Sequence, residues 1–290
     1  MKLRLNVLVL MMVSLIVASC GSGGSSDDKD KDFDKAKSLG EEIKDITYKI
    51  PPPCEIPYLL MGTGAEYNQG LINGRDGIDG YSAQPDKAAL NLGVYAANIG
   101  YLSSYEKTQE SIDYLNACKR LAEDLGVTSS FDPEMLKQFE RQIGNKDSLC
   151  ILLNKAIEDT DKYLKGGQSK LGALMVTGSF VESLHLATGI ITSYPKDAFK
   201  DNKQKLQILT PLMQIVVNQR ASVAEVTKML KSVDQSGPVA QILKDFDQLE
   251  AEYAKLDWEN KVKSGTAEFS DNTLTGLNSI IEKLRADIVK

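Results

Sequence analysis

Three observations predict an all-α fold. Apolar residues recur at spacings of three and four from about Phe33 onward, no run alternates convincingly with period two, and capping and proline signals fall where helices should start and stop. With 42% hydrophobic and 26% charged residues in 290, the chain is long and apolar enough to bury a large core. The expected architecture is one domain over residues 36–290, a multi-helix bundle of about seven or eight helices with a long Gly/Pro-rich loop.

The first segment of that domain is an exception to the helical pattern. Ile50-Pro51-Pro52-Pro53-Cys54-Glu55-Ile56-Pro57 is expected to be extended, because proline lacks an N–H and pushes its preceding residue out of the α region. Gly62, Gly64, Gly70, Gly74, Gly77 and Gly80 follow closely and predict a long irregular loop. Long loops on compact domains often carry function, so this one is a candidate partner-binding surface, with a covering over the bundle end as the plainer alternative.

Helices then follow in order. One is expected over about 86–105. The next, over 107–125, places Tyr114, Cys118, Leu121 and Leu125 on one face. Asp132-Pro133 supplies an N-cap and a first-turn proline for a long helix over 133–165. Its stripe runs through Leu136, Ile143, Cys150, Ile157 and Leu164 at sevenfold spacing, with Phe139 and Leu153 between them. Leu171 to Tyr194 is apolar all round and reads as a central buried helix, too rich in Gly, Ser and Thr for a convincing membrane span. Pro211 predicts a kink or an end within 206–217, Ser222-Val223-Ala224-Glu225 fits a capping box, and Gly237-Pro238 marks a break and restart. Two amphipathic helices close the chain, one with Ile242, Phe246, Leu249, Tyr253 and Leu256, the other with Leu274, Leu277, Ile281, Leu284 and Ile288.

Ahead of the bundle, residues 1–19 have the form of a secretory signal, with Lys2 and Arg4 before an apolar run from Leu5 to Val17. Val17-Ala18-Ser19-Cys20 resembles a bacterial lipobox, which makes Cys20 the expected acylated residue. Several acyl chains at about 0.8 kcal/mol per buried methylene give stable membrane attachment. Residues 20–35 then read as a Gly/Ser spacer and an acidic tether without a core of their own. An acidic stretch after the lipidated cysteine is similar to the surface-export signals of Bacteroidetes lipoproteins; a solvated linker on a periplasm-facing lipoprotein is the equal alternative. Without residues 1–19, 32 basic side chains face 40 acidic ones, a net charge of −8 that argues against a nucleic-acid partner.

Within the domain, Ile50-Pro51-Pro52-Pro53-Cys54-Glu55, Tyr81, Lys87 to Tyr95, Gly100-Tyr101 and Asp147-Ser148-Leu149 resemble an uncharacterised family of helical outer-membrane lipoproteins of Bacteroidetes. The likeness covers roughly 50–195. It implies an outer-membrane, lipid-anchored helical protein and brings no activity, cofactor or catalytic residue with it. Ala97-Asn98 departs from the family, where a small residue precedes an aspartate.

Few constellations could carry chemistry. Glu182 and His185 lie at i and i+3, the spacing with which ferritin-like bundles hold two metals, but those sites need a second such motif, and His185 is the sole histidine. The expected reading is a structural ion pair between the two inside the bundle. Gly93, Ala97 and Gly100 bare one stripe of the helix over 86–105, suited to a close helix crossing. A ligand groove there, lined by Tyr95 and Tyr101, is the functional alternative. Cys118 and Cys150 are expected as buried free thiols, not bonded to each other, with Cys54 left open. No Walker lysine, GxSxG elbow or calcium-loop spacing occurs. Together these features point to a non-enzymatic, lipid-anchored envelope protein that binds a partner protein or small ligand, needs no metal or cofactor, and faces the periplasm or the cell surface. The alternatives are a metal-dependent or hydrolytic enzyme using Glu182 and His185, and a purely structural envelope component.

Overall fold

The computed structural model describes residues 49–127, 133–142, 144–163, 170–194, 201–266 and 272–290. Residues 1–19, Cys20 and the 20–35 tether lie outside the described residues. Among the described residues the fold is all-α, with no strand. These residues form twelve α-helices: α1 (Glu55–Gly62), α2 (Ile78–Ser82), α3 (Pro85–Ser104), α4 (Thr108–Asp124), α5 (Pro133–Gln142), α6 (Lys146–Tyr163), α7 (Lys170–Ser193), α8 (Asn202–Asn218), α9 (Arg220–Ser232), α10 (Val239–Lys255), α11 (Trp258–Lys263) and α12 (Thr275–Ile288). The excess over seven or eight comes from short helices and from breaks that apolar periodicity alone does not register.

Two of these breaks correct the sequence reading. The helix expected over 133–165 is two helices, separated around Gly144, and Asn145 caps the second by accepting the Ser148 N–H at 3.1 Å. Of the stripe, Ile143, Ile157 and Leu164 lie outside the described residues, and its intervening members Phe139 and Leu153 are buried. Among the described residues of these two helices, Leu149 and Ala156 are buried as well, while Leu136 and Cys150 are only half-buried. At the other break, α9 begins at Arg220 with Gln219 at its cap, so Ser222 sits inside the first turn and forms no capping box. Pro211 is accommodated within α8. The Pro51–Pro57 segment is also less extended than its prolines suggest. Cys54 adopts an α-region backbone and α1 starts at Glu55, with Pro57 in the first turn, where an N–H has no intrahelical partner anyway.

Centrally placed, α7 is buried from Gly172 to Ile191 apart from Val176. By length and composition it could cross a membrane, yet 94% of its most apolar window is buried inside the fold. Its closest neighbour is α3. A Cβ added at Gly93 would lie 1.9 Å from the Met175 carbonyl oxygen, and one at Gly178 would lie 2.0 Å from that of Leu90, so each glycine admits the other helix's backbone. The stripe of Gly93, Ala97 and Gly100 is therefore filled: α7 covers Gly93, and the Pro53–Cys54 backbone lies against Gly100. Tyr95 and Tyr101 are fully buried, and the close-crossing alternative describes this stripe.

The Cys54–Cys150 disulfide ties the start of α1 to α6, with Cα atoms 5.5 Å apart and 96 residues between them in sequence. Cys118 is free and buried, and burial pushes its thiol pKa far up. The expectation of free thiols thus holds for Cys118 and fails for Cys150. Spacing along the chain cannot show that the segment before α1 folds back over α6.

Candidate functional site: a glycine-rich strap on a buried ionic node

Register fixes what lies beneath the glycine-rich loop. Asp86 pairs with Lys170 at 2.6 Å, and Gly93 abuts the Met175 to Ser179 turn. At the other end Asn68 joins the two helices, its N–H on the Tyr101 hydroxyl and its Nδ2 on the Ser193 hydroxyl, so α3 and α7 run parallel. The last helix, α12, runs the other way: the Ile288 carbonyl accepts from Asn91 Nδ2 at 2.9 Å, and Arg285 and Glu282 reach Glu182 and His185 in turn.

Glu182 and His185 do not pair with each other. Fully buried, Glu182 accepts from Arg285 Nε at 2.8 Å and from its Nη2 at 3.3 Å. His185 places Nδ1 at 2.6 Å from Glu282 Oε1 and Nε2 at 3.0 Å from the Leu71 carbonyl oxygen. Two i, i+3 pairs on facing helices thus exchange partners. One turn of α7 brings a carboxylate and an imidazole, and one turn of α12 brings a carboxylate and a guanidinium. A second donor to the Leu71 carbonyl is Arg285 Nη2 at 3.3 Å. The hydrogen bond from His185, opposed by partial burial and assisted by the positive charges of His185 and Arg285, lowers the Glu282 pKa.

Above this node the segment from Ala65 to Gly74 is held down by tyrosine hydroxyls. Tyr105 donates to the Ala65 carbonyl at 2.8 Å, Tyr114 to Asn73 at 2.5 Å and Tyr95 to Gly74 at 3.1 Å, while Tyr101 accepts the Asn68 N–H at 2.9 Å. Burial raises the pKa of all four phenols, that of Tyr114 to about 12, so they remain neutral donors at physiological pH. Rings of Tyr67, Tyr101 and Tyr105 stack or tilt against one another at 5.1 to 5.6 Å. Leu71 lies over Gly189, where a Cβ would come within 2.6 Å of its Cδ2. The loop is thus a fitted strap, containing one 3₁₀ turn (Gln69–Leu71). Its outer surface exposes Glu66, Gln69, Arg75, Asp76 and Asp79, with Arg75 also paired to Asp113 at 3.2 Å.

Asn98, on α3, is fully buried with both amide atoms lacking a hydrogen-bond partner. Among the described residues no group of three metal-ligating side chains comes together. Comparison with family models, with curated proteins and with solved structures finds no match. Chemistry at the node therefore has to be read from its own geometry.

In that geometry the basic atoms of Glu182 and His185 are engaged. The imidazole uses both nitrogens, and Glu182 faces a guanidinium through both oxygens. A general base needs a lone pair within reach of a substrate proton, and a metal ligand needs one aimed at the ion. The missing half of this site, Glu282 and Arg285, escapes sequence reasoning because both sit on the polar edge of an amphipathic helix about a hundred residues away. There, an acid and a base at i, i+3 look like an ordinary solvated pair.

Proposed function

We propose that this chain is an exported, lipid-anchored envelope protein without enzymatic activity, whose bundle presents the 62–80 strap as a preorganised binding face for a partner protein. The observation that carries this reading is the pinning of the strap backbone by four tyrosine hydroxyls while Glu66, Gln69, Arg75, Asp76 and Asp79 are exposed. A loop fixed before binding loses little conformational entropy on association. Leu59 and Met61, both exposed on α1 where it leads into the strap, add apolar area to the same edge. The Cys54–Cys150 disulfide supports export, since such bonds persist in oxidising compartments, and it agrees with the lipobox-like residues ending at Cys20. An enzymatic role for Glu182 and His185 is disfavoured by the engagement of their basic atoms within the node.

The test is site-specific photo-crosslinking in intact cells, with the reactive residue at Gln69 on the strap or at exposed Gln248 on α10, in the wild-type background and with Cys20→Ala. The expected result is one discrete adduct from Gln69 and none from Gln248, together with release of the Cys20→Ala protein from the membrane fraction. Indiscriminate adducts from both positions would remove the strap as a binding face. Normal processing and unchanged membrane retention of Cys20→Ala would remove the anchor.

A further inference from the structure

The hydrogen-bonding demands on His185 carry a regulatory consequence for the strap. A carbonyl oxygen only accepts, so Nε2, 3.0 Å from the Leu71 oxygen, must carry a proton. Nδ1 lies 2.6 Å from the Glu282 carboxylate, which as an ion only accepts, so it too carries one. Only the imidazolium satisfies both acceptors at once. We propose that His185 is a proton-operated clasp on the strap, fastening Leu71 while doubly protonated and releasing it when one proton is lost. This rests on the reading of the strap as a binding face only for its biological use; the clasp itself is a property of the fold.

The direction of the switch follows from the neighbours. The charged groups facing His185 are Glu282 and Arg285 from α12, with Glu182 one turn back on α7. From α3 and α4 come the phenols of Tyr101 and Tyr114, which burial keeps neutral. The strap contributes the Leu71 carbonyl. When the ring loses one proton, the remaining N–H is held where the acceptor is charged, on Nδ1 toward Glu282, because hydrogen bonds to ionised acceptors are the stronger ones. Nε2 then turns a lone pair toward the Leu71 oxygen. Arg285 Nη2 remains as the longer donor at 3.3 Å, so the strap loosens without detaching from α12. The four tyrosine bonds do not change over this range and confine the loosening to the middle of the strap, around Gln69 to Ile72.

The experiment is hydrogen–deuterium exchange of the full-length protein from pH 5 to 8.5, expressed as protection factors so that the intrinsic pH dependence divides out. The Gly70, Leu71 and Ile72 amides, each bonded within the strap, report on it, and those of α4 serve as the internal reference. Strap protection is expected to fall on the order of tenfold as His185 loses its proton, the worth of one charge-assisted bond, while α4 stays flat. His185→Gln, which can donate to Leu71 at every pH, is expected to give a flat strap profile. Should that variant not fold, Glu282→Gln serves instead: without the carboxylate the imidazolium is less favoured, and the wild-type midpoint moves to lower pH. A wild-type strap whose protection is independent of pH, or a His185→Gln profile with the wild-type slope, would overturn the clasp. No partner is needed for this readout, so a strap that crosslinks to nothing leaves the clasp standing, and a pH-independent strap leaves the binding face standing.

Discussion

The same helix, α7, meets its two principal partners in opposite ways. Against α3 it discards side chains: Gly178 and Gly93 let the two backbones touch. Against α12 it keeps two polar groups and receives two in return, Glu182 with Arg285 and His185 with Glu282. The first contact gains close van der Waals packing and tolerates no added atom. The second contact gains little net stability over a packed apolar alternative, since desolvating charges offsets their attraction, but it fails badly when one partner is missing. An apolar helix can thus be located by steric exclusion on one side and by charge registry on the other. The two contacts should fail differently when broken.

The largest effect belongs to the bare crossing. In Gly93→Val the Cβ alone would sit 1.9 Å from a backbone oxygen, and backbone cannot turn aside as a flexible side chain can. Overpacking should cost at least about 3 kcal/mol, well beyond any gain in helix propensity. Gly80→Ala is the control, since a Cβ there meets nothing within 4 Å on a helical residue. Chemical denaturation is expected to show a large drop in midpoint for the first variant and an unchanged or slightly raised midpoint for the second. A well-folded Gly93→Val protein of normal stability would mean that the two helices do not cross here.

Next comes the ionic contact. Glu182→Gln leaves Arg285, only 16% exposed in its side chain, facing a neutral amide, and should cost about 3 kcal/mol. Replacing both Glu182 and Arg285 by leucine is expected to cost less than the single substitution, because no stranded charge remains. That inversion sharpens the comparison. At the glycine crossing, two bulky substitutions add to each other's damage, whereas at the ionic crossing the second removes part of the damage done by the first. Equal or additive losses in the double variant would show that the charges are not coupled.

How much of this could be read from the sequence differs between the two contacts for a physical reason. Helix boundaries came through where caps and breakers are local, as with Pro133 at the start of α5 and the Gly237-Pro238 restart before α10. Gly93 was also legible as a missing side chain, though its partner Gly178 on α7 was not. The break at Gly144 was hidden by apolar residues that continued the sevenfold spacing across it. Glu182 and His185 stood out because they are polar residues on an apolar helix, which made their burial predictable. Their partners did not stand out, because Glu282 and Arg285 occupy positions where charge is ordinary. The Cys54–Cys150 bond was invisible for the same reason: it depends on the fold bringing distant segments together, which no local periodicity encodes.

The smallest effect is the acid titration of the node. Glu282 has its pKa lowered in the folded state, chiefly by the His185 hydrogen bond. A carboxyl with a depressed folded pKa binds its proton more readily when unfolded, so its stabilisation is complete above the unfolded value of about 4.5 and fades as pH falls through the folded one. Because the Glu282 side chain is 43% exposed, solvent and salt screen the pair, and the contribution should stay below about 1 kcal/mol. Urea midpoints for the wild type and Glu282→Gln are expected to differ modestly at pH 6 and to converge as the pH is taken toward 3, with the gap shrinking further in high salt. A gap that persists undiminished at pH 3 would mean that Glu282 stabilises α12 by packing, and the exchange of partners between α7 and α12 would then reduce to the Glu182–Arg285 pair alone.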